Sequence, residues 1–128
     1  MPLSYRDGVA QPPLRILVVD EYADAAVSTG ELLKHLGHDV CVSMSAEHAL
    51  QRVTDWIPRV ALIDVHMKRM DGYAFAARLR SSVSQPITLI ALTSLTSDIL
   101  RARTDGCDHH LMKPFELNRL IAILAGID

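Results

Sequence analysis

The chain has 128 residues, 49% of them hydrophobic and 22% charged, and a formal net charge of −2. That length suits one domain able to bury its own core. A balance so near neutrality gives no argument for nucleic-acid or membrane attraction, no apolar stretch approaches the ~18–20 residues of a membrane span, and the start MPLSYRDGVAQPP lacks the apolar run of a signal peptide.

Residues 1–13 carry Pro2, Gly8, Pro12 and Pro13 without periodicity. They read as a flexible leader, with the ordered domain expected over 14–128. RILVVDE, at 15–21, is a near-continuous apolar run ending in an acidic pair, Asp20 and Glu21. Such a run marks a strand buried on both faces, as in a parallel sheet. Ala23, Ala26, Val27, Gly30 and Leu33 then follow helical spacing until Gly37 stops the helix. DVCVS, at 39–43, reads as a short edge strand, and Ser45 as the N-cap of a helix burying Ala46, Ala49, Leu50 and Val53. Two cysteines, Cys41 and Cys107, make no disulfide framework and fit reduced thiols in a cytoplasmic protein.

RVALIDV, at 59–65, is the third strand and delivers Asp64. Gly72 opens a third helix with Phe75, Ala76, Leu79 and Val83 inward, closed by the turn SSVSQP. ITLIALTS, at 87–94, brings Thr93 to its end. The segment SLTSDILRARTDG has only Ile99, Leu100 and Ala102 as apolar anchors and reads as the weakest helix. HLMKP, at 110–114, ends on Lys113, and a last helix is expected to bury Leu117, Leu120, Ile121 and Leu124. The tally is (βα)5. Right-handed crossovers then favour a single doubly wound α/β domain, a five-stranded parallel sheet of order 2-1-3-4-5 with helices on both faces.

In open α/β sheets the ligand sits outside the carboxyl ends of the strands. Asp20, Glu21, Asp64, Thr93 and Lys113 all stand at such ends. Converging carboxylates repel one another unless a cation intervenes, and a few oxygen ligands with retained water suit Mg2+. A metal, an ammonium and a hydroxyl around one free carboxylate can hold a phosphoryl group, with Asp64 as the nucleophile that forms an acyl phosphate.

ILVVDE, LIDVHMKRMDGYAF, ALTS and LMKPF, in that order and spacing, resemble the receiver domain of two-component response regulators from about Leu14 onward. The resemblance implies a flavodoxin-like domain that takes a phosphoryl group from a histidine kinase or a histidine phosphotransfer protein. Asp64 matches the phosphoacceptor. Asp20 and Glu21 match the acidic pair that holds Mg2+ together with Asp64 and the backbone carbonyl of His66. Thr93 and Lys113 match the groups that contact the phosphoryl oxygens, and the Lys113–Pro114 bond is expected to be cis. Thr93 and His110 match the switch pair, His110 standing where Tyr or Phe is usual.

The receiver itself would not be an enzyme acting on other substrates. The resemblance implies that it catalyses its own phosphorylation and slow dephosphorylation. The face made by the fourth helix, fifth strand and last helix, roughly 97–125, would meet a downstream effector or output domain, with dimerisation that depends on phosphorylation. A free-standing receiver, a relay intermediate and a piece of a larger regulator all stay open.

Some positions depart from the family pattern. Lys68 replaces a usual proline, His110 an aromatic residue and Arg59 a common Asp, while His66 and Leu95 fill variable positions that help set phosphoryl lifetime. Other readings fare less well. Adjacent His109 and His110 point to opposite faces of a strand, so Cys107, Asp108, His109 and His110 make a poor zinc site. A haloacid-dehalogenase-like phosphatase needs an Asp two residues past its nucleophile, where Tyr22 or His66 stands. There is no GxGxxG after the first strand and no P-loop. The remaining rival is a phosphorylation-independent receiver-like interaction module.

Overall fold

A computed structural model describes residues 4–6, 9–68, 71–93, 106–114 and 117–127 of the chain. Where the sequence suggests an irregular leader, β1 (Ser4–Arg6) and β2 (Val9–Gln11) pair antiparallel as a separate two-stranded ribbon. The main sheet follows, built from β3 (Arg15–Val19), β4 (Asp39–Ser43), β5 (Val60–Asp64), β6 (Thr88–Thr93) and β7 (His109–Met112). Its strands are all parallel and lie in the order β4-β3-β5-β6-β7, which is 2-1-3-4-5 when these five are counted alone. The described helices are α1 (Ala23–His35), α2 (Ala46–Arg52), α3 (Gly72–Ser82) and α4 (Leu117–Ala125). The helix expected over 94–106 falls almost wholly outside the described residues.

Alternation along the central strands sends side chains to two separate cores. Leu17, Val19, Ala61, Ile63 and Leu89 pack on one face with Ala46 and Ala49 of α2, Val53 just after it, and Phe75, Ala76 and Leu79 of α3. Ile16, Val18, Val60, Leu62, Ile90, Leu92 and Leu111 form the other with Leu33 of α1 and Leu120 and Leu124 of α4. Truncating a fully buried leucine such as Leu120 to Ala would cost about 2–5 kcal/mol.

Three of the expected helical positions face outward instead. Ala23 is exposed, Val27 is 51% exposed and Leu117 40% exposed. In α1 the buried stripe is Ala26, Gly30 and Leu33. Gly30 lets the helix lie close to the sheet, since a Cβ there would sit 2.6 Å from Val42 Cγ2. In α4, Leu120 and Leu124 carry the contact, and Leu117 starts the helix one turn too early to reach it.

Local signals set the helix starts. The Ser45 hydroxyl accepts from His48 N–H at the head of α2, as its position suggested. Asp71 does the same for α3 through Tyr73 N–H.

Candidate functional site

Main-chain hydrogen bonds continue past the strand ends and fix the rim. Asp20 N–H donates to Ser43 O, Val65 N–H to Leu92 O, and Lys113 N–H to Thr93 O at 2.7 Å. These bonds tie β3 to β4, β5 to β6 and β6 to β7, and the β3–β5 ladder up to Val19 and Ile63 joins the two halves, bringing Asp20, Asp64, Thr93 and Lys113 to one edge. The Lys113–Pro114 bond is cis. Asp20, Asp64 and Thr93 are 2%, 3% and 0% exposed, although all three are polar. Buried polar groups of this kind require partners.

Lys113 supplies the charge balance. Its Nζ lies 3.0 Å from Asp20 Oδ2 and 3.9 Å from Asp64 Oδ1. Asp20 Oδ1 accepts from Tyr22 N–H, and Asp64 Oδ1 from His66 N–H, each at 3.0 Å. Asp64 Oδ2 is buried with no protein partner. Burial is the main reason that the Asp64 carboxyl holds its proton above the ordinary aspartate range. The neighbouring Asp20 adds to this, while the His66 N–H and Lys113 act against it.

Glu21 behaves differently from the other two acids. It is half-buried, and its Oε1 accepts from the backbone N–H of Lys68 at 2.7 Å. Among the described residues no group of three His, Cys, Asp and Glu side chains is drawn together tightly enough to hold a metal ion. The expected triad is therefore present as a buried pair, Asp20 and Asp64, with Glu21 tied to the loop beside them. The donor set nonetheless suits a hard divalent cation: all its atoms are oxygens, and Asp64 Oδ2 is a buried acceptor that no protein donor reaches.

His66 is exposed, yet its Nε2 lies 3.4 Å from Thr93 Oγ1. His110 is half-buried on β7, opposite Ala91 in the ladder. Leu95 lies outside the described residues. Arg59, read as surface variation, reaches Thr88 Oγ1 at 3.4 Å with Nη1. Within the Cys107–His110 run, Asp108 ties elements of the fold together. Asp108 Oδ2 accepts from Arg80 at 2.7 Å and from Leu89 N–H at 2.8 Å, tying the approach to β7 onto α3 and β6.

Sequence reasoning missed two contributors to the site. One is the Lys68 amide, invisible because a backbone N–H has no residue code. The other is Gly72, where an added Cβ would meet Val65 Cα at 2.4 Å and Asp64 O at 2.7 Å. A glycine directly after an N-cap aspartate is the signal that could have exposed this close approach.

The model of the response regulator receiver domain family matches residues 16–125. The chain is 27% identical to Protein PilG of Pseudomonas aeruginosa over 114 residues, covering 87% of this chain and 84% of PilG. It is 30% identical to the transcriptional regulatory protein PrrA of Mycobacterium leprae over 116 residues, covering 90% of this chain but only 49% of PrrA. The solved receiver domain of the Francisella response regulator 1452 has a TM-score of 0.76 at 26% identity, covering 87% of this chain and 93% of that one. Among the described residues no helix is long and apolar enough to cross a membrane.

Proposed function

The chain belongs to the response regulator receiver domain family, and on that footing we propose that it accepts a phosphoryl group on Asp64 from a histidine kinase or a histidine phosphotransfer protein. One observation carries this reading: Asp64 is a buried carboxylate with an unpartnered oxygen, beside an ammonium that it shares with a second buried acid. An Asp64 carboxylate oxygen forms the bond to phosphorus as the phosphohistidine N–P bond breaks. The electron pair returns to the donor's imidazole nitrogen, and the product is an acyl phosphate.

Lys113 is within reach of Asp64 and can move from Asp20 toward the new phosphoryl oxygens, neutralising their charge. Thr93, at the neighbouring strand end, offers a hydroxyl to the same oxygens. Asp20, Glu21, Asp64 and the His66 carbonyl would hold Mg2+. Bound there, Mg2+ supplies further neutralisation of the equatorial oxygens and relieves the repulsion between the acids. The same groups let the domain catalyse its own phosphorylation and slow hydrolysis.

In this reading residues 14–128 form the receiver and 1–13 a leader. The protein works in the cytoplasm, without direct nucleic-acid or membrane contact. Thr93 and His110 pass the signal to the 97–125 face for an effector, an output domain or a second copy.

Intact mass after acetyl phosphate and Mg2+ tests the proposal. One added phosphoryl group in the wild type, absent in Asp64→Ala, is the expected result. No gain in either protein points to an interaction module that works without phosphorylation.

A further inference from the structure

The short loop after β5 holds two of the three acids by its own backbone. His66 N–H donates to Asp64 Oδ1 at 3.0 Å, and Lys68 N–H donates to Glu21 Oε1 at 2.7 Å. Between them Met67 is buried in the core beneath α2 and α3, so the Lys68 amide is presented from an anchored segment. An N–H bonded to a carboxylate at this distance is of the short, charge-assisted kind. The contact joins residues 47 apart in sequence and closes the β3–α1 loop onto the acceptor loop. Beside it runs a groove of about 430 Å³ lined by Glu21, Tyr22, Met44, Met67 and Lys68 among others.

We propose that the Lys68 amide is a latch that competes with Mg2+ for Glu21, so that metal loading and the placement of the 66–68 loop are linked. The inference rests on the reading above in which Glu21 is a metal ligand. Held on the loop, Glu21 forms no cation-holding group with Asp20 and Asp64, so turning its carboxylate onto a cation between those two acids weakens or breaks the bond to Lys68 N–H. By linkage, whatever lifts the loop from Glu21, such as a partner seated in the adjoining groove, tightens Mg2+ binding by the same factor that Mg2+ tightens the partner's binding. The Lys68 side chain takes no part in the latch, because the donor is the main chain.

Proline has no N–H, whereas alanine keeps it. Lys68→Pro and Lys68→Ala both remove the ammonium, so their difference reports the amide together with proline's fixed φ, and the wild-type exchange measurement isolates the amide. In calorimetric Mg2+ titrations of the full chain, Lys68→Pro should bind roughly tenfold more tightly than Lys68→Ala, the scale of one charge-assisted hydrogen bond. In the 15N-labelled wild type, Mg2+ should speed hydrogen exchange at the Lys68 amide while slowing it at core amides such as Leu62. Equal Mg2+ affinity in the two variants overturns the latch and leaves the receiver reading standing. If Lys68→Pro does not fold, the wild-type amide decides: faster exchange supports the latch, and unchanged exchange overturns it. A wild type that binds no Mg2+ at all overturns both.

Discussion

At neutral pH and in EDTA, Asp64→Asn should melt above the wild type. Asn keeps an Oδ1 to accept the His66 N–H that Asp64 receives at 3.0 Å. It removes a carboxylate that is 3% exposed, has one oxygen without a protein donor, and lies beside Asp20. An unsatisfied buried polar atom costs about 1–3 kcal/mol, and more when it carries charge; Asn puts a neutral NH2 in its place, beside the Asp20 carboxylate that can accept from it. Against that stands the loss of the Lys113 contact. That contact is long at 3.9 Å, and Lys113 keeps its 3.0 Å bond to Asp20; a partly solvated pair of this kind is worth at most about 1 kcal/mol.

The net is a stabilisation of about 1–2 kcal/mol, or about 4 °C in Tm per kcal/mol for a domain of this size. Linkage sets the sign of the pH dependence. Asp64 binds its proton more tightly in the folded protein than an ordinary aspartate, whose pKa is 3.8. Its contribution to stability is therefore full below that value and is lost as pH rises through the raised folded pKa. Asn does not titrate. The Tm gap should thus be widest near pH 7 and shrink toward pH 4, as read by circular-dichroism melts. A variant melting below the wild type at pH 7, or a gap that fails to narrow on acidification, would show that the buried Asp64 charge is not a destabilising element of the apo fold.

Gly72→Ala should lose about 1–3 kcal/mol in urea denaturation, the usual range for overpacking, because its Cβ would strike main chain at Val65 and Asp64 rather than a movable side chain; an unchanged midpoint would contradict that geometry. His38 is buried, and its Nδ1 accepts from Leu14 N–H at 3.0 Å. Burial lowers its pKa despite the opposing influence of Asp39, so the unfolded chain takes up the proton first and stability falls as pH drops below the ordinary histidine value of 6.5. His38→Gln should lose less stability than the wild type between about pH 7 and 5.5, and parallel losses would show that His38 is not the titrating group. His110→Tyr should keep phosphorylation by acetyl phosphate while changing affinity for a partner at the 97–125 face. Equal affinities, with and without beryllofluoride, would remove His110 from the switch.

The sheet and its rim were legible because both depend on features that residue type encodes directly. RILVV, VALID and TLIALT are apolar without alternation, which suits strands covered on both faces, and the connections between them admit crossovers of one hand. Once the topology is fixed, Asp20, Asp64, Thr93 and Lys113 have no other edge to occupy. The helix faces were less legible. Alanine-rich spacing in α1 admits two stripes, and the close approach at Gly30 decides between them, leaving Val27 outside. Main-chain donors were not legible at all. Nothing in the letters of Glu21 and Lys68 says that a carboxylate will meet an amide across 47 residues, and the Leu14–His38 bond is hidden for the same reason.

The ladder that makes these charges neighbours also limits how they can respond. Asp20, Val65 and Lys113 each donate a main-chain N–H to an adjacent strand end, so the backbone under the site moves only if the sheet edge opens. The side chains are less constrained. Lys113 stands between two carboxylates at unequal distances, and Thr93 Oγ1 sits 3.4 Å from His66 Nε2, a long contact for a hydrogen bond. A phosphoryl group on Asp64 would offer anionic oxygens to both of them. Lys113 would then turn from Asp20, and the Thr93 hydroxyl from His66, without any strand shifting. A response confined to side chains on a rigid rim needs only a small difference in contact energy between its two arrangements. That is the condition under which one covalent phosphoryl group can tip the balance.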